Sequence, residues 1–103
     1  MLGTITGQRL MLAKMHIANY IIDQMERAGG GNVSYMVSNL NAEYGIVAPA
    51  DLPFFIQDIG LFCDALMNQS VTEIDRAAYW KFRAMSAIDA KRALETELNA
   101  LRG

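Results

Sequence analysis

The stretch from Leu52 to Met67 constrains this chain more than any other. It is the most apolar run in the sequence and holds Phe54, Phe55 and Phe62, three of the four phenylalanines. At about 100° per residue a helix through it gathers Leu52, Phe55, Ile56, Ile59, Phe62, Cys63, Leu66 and Met67 onto one broad face. A face that wide predicts the core helix of an all-α fold, not a surface helix. Asp51 is the expected N-cap, and Pro53 fits the first turn, where its missing N–H costs nothing. Gln57, Asp58, Asp64 and Asn68 take the opposite side, which Phe54, Leu61 and Ala65 interrupt. Two large apolar groups in line on an outer face need cover, either from another helix of the chain or from a partner.

The remaining segments read as helices around this one. Gln8 to Ala28 is helical, with Thr6 as the expected cap. Leu10, Met11, Met15, Ile17, Ala18, Ile21, Ile22 and Met25 share its apolar face, and Arg9, His16, Asn19, Asp23, Glu26 and Arg27 share the other. Lys14 falls inside the apolar face; either its stem lies along apolar surface while its ammonium reaches water, or it pairs with an acid of the middle segment. Gly29-Gly30-Gly31 closes the helix, because glycine supplies the left-handed C-cap conformation. Without a preceding strand or a Lys-Ser/Thr signature it is not a phosphate-cradling loop. A second helix, capped by Asn32 or Ser34, runs to about Glu43 and stops at Gly45. Ile46 to Pro49 then forms a short extended link.

Ser70-Val71-Thr72-Glu73 has the spacing of a capping box and predicts a helix start near Val71. Its apolar face is Val71, Ile74, Ala78, Phe82 and Met85. Leu94, Leu98 and Leu101 then fall on nearly the opposite side of the same wheel, so a break near Ser86 is expected, with Ser86 capping a last helix. The prediction is an all-α domain spanning 1–103, a small bundle of four to five helices near 8–28, 33–44, 51–68, 71–85 and 87–102. The last two are alternatively one bent helix whose leucines face a partner chain.

At 103 residues and 52% hydrophobic content, one small domain leaves some apolar area uncovered, and self-association as a homodimer is a natural outlet. Charge is unevenly placed. Residues 1–27 sum to +1, residues 28–75 contain no lysine or arginine and sum to −6, and residues 76–103 sum to +3. This asymmetry favours docking of the tail on the middle, within one chain or between two. The single cysteine, Cys63, cannot form an internal disulfide, which suits a reducing, cytoplasmic setting. No run is long and apolar enough for a membrane span.

Chemistry-bearing constellations are sparse. The lone His16 lies on a polar helix face and reads as solvated. One histidine and one cysteine do not make a zinc site, no cofactor motif occurs, and the acids show no shared cleft for acid–base work. Ala42 to Ile46, between two apolar helices, has the spacing of a helix–turn–helix turn. The helix that would enter the groove, however, carries Asp51, Asp58 and Asp64 and no cation to neutralise phosphate. Arg76, Tyr79, Trp80 and Arg83 form an arginine–aromatic group of the kind found at interface hot spots.

The sequence therefore predicts a non-catalytic protein-binding module — a small regulator, inhibitor or adaptor — that self-associates through apolar helix faces. Its partner-binding residues would be Phe54, Leu61, Arg76, Trp80, Arg83, Leu94, Leu98 and Leu101. The alternative is a DNA-binding regulator with Arg76, Arg83, Lys91 and Arg92 on phosphate.

Overall fold

The structure, a computed structural model, describes residues 4–68 and 76–102. Five α-helices are present among them: α1 (Gly7–Ala28), α2 (Val33–Tyr44), α3 (Leu52–Met67), α4 (Ala77–Arg83) and α5 (Ala87–Arg102). A 3₁₀ turn, Pro49–Asp51, leads into α3. The all-α bundle predicted from periodicity is the observed architecture. The predicted capping box at Ser70 to Glu73 lies outside the described residues.

Local signals account for most of the helix ends. Asn32 caps α2, its Oδ1 accepting from Tyr35 N at 2.9 Å. Gly29 and Gly45 close α1 and α2 at φ 75° and 58°, the left-handed region where a Cβ would be strained. Ser86 starts α5, its Oγ accepting from Asp89 N at 3.1 Å. Two expected caps are not made. Thr6 forms no side-chain cap bond to α1, and Asp51 is the last residue of the 3₁₀ turn in a right-handed conformation, with no cap bond. The turn itself delivers the chain to α3.

The centre of the bundle is α1, not α3. α3, α4 and α5 all pack on α1, while α2 packs mainly on α3. Ile17, Ala18, Ile21 and Ile22 are buried, as the apolar face requires, although Met11 of that face is 49% exposed; Asn19 and Asp23, which sequence periodicity places with the solvent-facing residues, are buried as well. A helix with neighbours on three sides has little polar face left to show water.

The lead-in segment contributes more than its sequence suggests. Ile5 is buried and its N–H donates to Ile46 O at 2.8 Å. Asn41 holds the same loop from below, accepting from Val47 N at 2.8 Å and donating to Val47 O at 3.2 Å. These bonds satisfy backbone groups that the loop would otherwise bury unpaired.

The break between α4 and α5 decides where the late leucines go. Arg27, at the end of α1, donates through Nη2 to Phe82 O at 3.0 Å and Met85 O at 2.6 Å. It thereby ties the end of α1 to the carbonyls at and just after the end of α4, where helical acceptors run out of donors. The chain turns at residues 84–86 and α5 returns along α1. Leu94 and Leu98 are fully buried there and Leu101 is partly buried against the same core. This corrects the assignment of Leu94, Leu98 and Leu101 to a partner surface: the turn reverses the wheel argument and brings their face home.

Candidate partner-binding face

The outer side of α3 leaves two large apolar side chains in line and uncovered. Phe54 is 67% exposed and Leu61 61% exposed. At 1.5 Å rise per residue, their i, i+7 spacing sets them roughly 10 Å apart along the helix. The inner side explains why they point out. Phe55, Ile59, Cys63 and Leu66 are buried against α1 and α2, so helical periodicity commits Phe54 and Leu61 to the other side.

Asp58 and Asp64 edge this line, Asp64 exposed and Asp58 partly so. Lys14 Nζ donates to Asp58 Oδ2 at 2.7 Å. Of the two readings of Lys14, pairing with an acid of the middle segment is the one observed. Its side chain is only 15% exposed, so the carboxylate provides the partner that a mostly buried ammonium needs. Beside the pair, a cavity of about 340 Å³ opens at the Phe54 end, between the lead-in segment, the start of α1 and the start of α3. Leu10, Lys14, Asp51, Phe54 and Asp58 line it.

The arginine–aromatic group divides. Trp80 is 55% exposed, and the Arg76 guanidinium lies 6.0 Å from its ring centroid and 5.6 Å from that of Tyr79. Tyr79 is buried and its hydroxyl donates to Glu26. That hydrogen bond, then burial, raises the phenol's pKa. Arg83 turns toward α1, its Nη1 3.6 Å from Asp23 Oδ1. Of the four, Arg76 and Trp80 sit together as a pair, and Arg83 stays 41% exposed while it pairs with Asp23.

Asp23 is the buried charge that periodicity did not reveal. Its Oδ2 accepts from Arg27 Nε at 2.8 Å and from Gln24 Nε2 at 3.2 Å. The i, i+4 spacing of Asp23 and Arg27 was a readable signal. Its burial was not, because that depends on α4 crossing over it.

Burial shifts several other ionisable groups. Burial pushes the Cys63 thiol up to about 11, with Asp64 adding to the rise. Burial, then Glu43 and Glu95, push Tyr44 up to about 12. His16 is half-buried instead of solvated, with Nε2 3.8 Å from Glu97 Oε2. Burial lowers its pKa against the raising influence of Glu97, and Lys81 adds to the lowering. Among the described residues no group of three or more His, Cys, Asp or Glu could hold a metal ion, and no helix is long and apolar enough to cross a membrane.

The tail packs mainly on α1, and its link to the acidic middle is the half-exposed ion pair of Lys91 Nζ with Glu43 Oε2 at 3.0 Å. With Lys91 on Glu43, Arg83 on Asp23 and Arg92 on Asp89, three of the four cations proposed for phosphate contact already have internal partners. Comparison with known protein families, with characterised proteins and with solved structures returns no match.

Proposed function

We propose that this chain is a non-catalytic protein-binding module whose contact surface is the outer face of α3. The observation that carries the reading is the pair Phe54 and Leu61, both large, apolar, more than half exposed and aligned on one helix. A line of that kind on a small domain is a recognised mark of a contact site. The reading is also supported by Cys63 and the tyrosines, whose pKa values are shifted away from neutral-pH chemistry. A cytoplasmic regulator, inhibitor or adaptor fits the lone buried thiol.

Copurification from the native host tests this with wild type, Leu61→Asp and Phe54→Ser. The expected result is a protein recovered by wild type and lost from both variants, whose circular dichroism and melting match wild type. Equal recovery by all three removes α3 as the contact surface.

Self-association is the second reading, favoured by Trp80 and by Ile88, which is 68% exposed. These leave a further apolar shoulder at the cationic end of the chain. Light scattering at micromolar concentration decides it, a strict monomer ending the homodimer.

A further inference from the structure

Resting on α3 as a protein-contact face, we infer that its partner is a cationic amphipathic helix. Two apolar side chains of that helix would cover Phe54 and Leu61, and its lysines or arginines would meet Asp51, Asp58 and Asp64. The charges on the face carry the argument. No lysine or arginine occurs between residues 28 and 75, so every charged side chain that α3 presents is a carboxylate. Asp58 and Asp64 lie on opposite edges of the apolar line, and Asp51 lies at its N-terminal end beside the cavity. Lys14, which approaches α3 from α1, is held by Asp58 at 2.7 Å. That carboxylate is 43% exposed and can accept further hydrogen bonds. An apolar stripe with acidic edges matches a helix whose apolar face has basic edges, the arrangement of helix-in-groove recognition.

A second copy of the same helix fits less well. Pairing two α3 helices antiparallel, Phe54 against Leu61, puts the two Asp58 carboxylates on the same edge at nearly the same height. It also leaves Asp51 and Asp64 of both copies without cations opposite. A basic partner removes both defects. The cavity of about 340 Å³ beside Phe54 further gives one apolar side chain of the partner a place to enter, next to the carboxylates that its cations would reach.

The test uses two fluorescent synthetic peptides of equal length, each a helix with leucines at i, i+3 and i+7. One is flanked by lysine and arginine, and its twin carries glutamate at those positions. Anisotropy titrations against the full chain should show the basic peptide binding at least about tenfold more tightly than the acidic twin, with the preference shrinking as salt rises. Leu61→Asp should abolish binding. Asp64→Lys should weaken the basic peptide and strengthen the acidic one, a reversal that general loss of structure does not produce.

Equal affinity for the twins, or indifference to Asp64→Lys, overturns the cationic partner. If Leu61→Asp still abolished that charge-blind binding, the contact face itself would stand. Absence of binding by either peptide overturns the inference, whereas the contact face is judged separately by copurification. Concentration-dependent dimerisation lost in Leu61→Asp overturns it by naming a second copy as the occupant.

Discussion

Asp23 and Phe54 are each on the side of the molecule where their chemistry is least expected. Asp23 is a charged group with no exposure, on a helix face that periodicity assigns to solvent. Phe54 is a large aromatic, 67% exposed, on the most apolar helix of the chain. The difference between them is the number of neighbours around their helices. α1 is enclosed by α3, α4 and α5 along its second half, so Asn19 and Asp23 are buried there and must find partners. α3 packs against α1 and α2, leaving one whole side open. Burial of a side chain is thus set by what surrounds its helix, and hydropathy decides only which faces tolerate it. The two regions meet that condition differently: Asp23 is partnered within its own chain by Arg27 and Gln24 at Oδ2 and by the Arg83 ion pair at Oδ1, whereas Phe54 and Leu61 have no such cover.

The largest effect expected is at the buried charge. Asp23→Ala leaves the Arg27 guanidinium, 24% exposed, without its carboxylate. Removing one member of a buried pair costs about 3–5 kcal/mol. Denaturant unfolding measures this, and a loss below about 1 kcal/mol would mean that Asp23 reaches water. Next come two leucines compared directly. Leu98→Ala should cost about 2–5 kcal/mol, because Leu98 is fully buried and truncation opens a cavity. Leu61→Ala should stay within about 0.5 kcal/mol, since its side chain already faces water. Equal costs would erase the contrast between an enclosed and an open helix.

A pH effect follows from His16 in direction. Its folded pKa lies below the ordinary 6.5, chiefly through burial. Between the folded value and 6.5 the unfolded chain binds more protons, so stability rises with pH through that window. The contribution is fully present above 6.5 and is lost as pH falls through the folded value. Comparing unfolding midpoints at pH 7.5 and 5.5, His16→Gln should flatten the slope relative to wild type. An unchanged slope would assign the pH dependence to other groups. Smallest of all is Asp64→Lys, which should leave the melting temperature within a degree or two, because Asp64 is exposed. The same substitution is expected to reverse peptide preference, so stability and binding should separate cleanly at this position.

Much of the fold was legible because helices follow local rules. Apolar spacing of three and four residues located α1, α2, α3 and α5. Gly29, Gly45, Asn32 and Ser86 fixed ends that matched the structure, each through a backbone preference or a short-range hydrogen bond. The candidate face was half legible. Phe54 and Leu61 were named from the wheel of one helix, and they are exposed. Leu94 and Leu98 were named from a wheel extended across a break, and they are buried. Their error shows the limit of periodicity: it holds phase within one helix and loses it at a turn of undetermined angle. The ion partner of Arg83 was hidden for a related reason, since Asp23 is 60 positions away in the chain.

The sequence by itself determined that this protein is helical, where four of its helices run, and that α3 would carry apolar groups on both sides. These follow from interactions within about four residues, which a linear reading contains. Only the tertiary structure decided that α1 is the centre, that Arg27 reaches across to Phe82 O and Met85 O, and that α5 folds back onto the core. Those outcomes depend on contacts between distant segments, from Lys14 with Asp58, 44 positions apart, to His16 with Glu97, 81 positions apart. The turn at residues 84–86, which creates several of them, has a direction that is set by packing and by no local pattern.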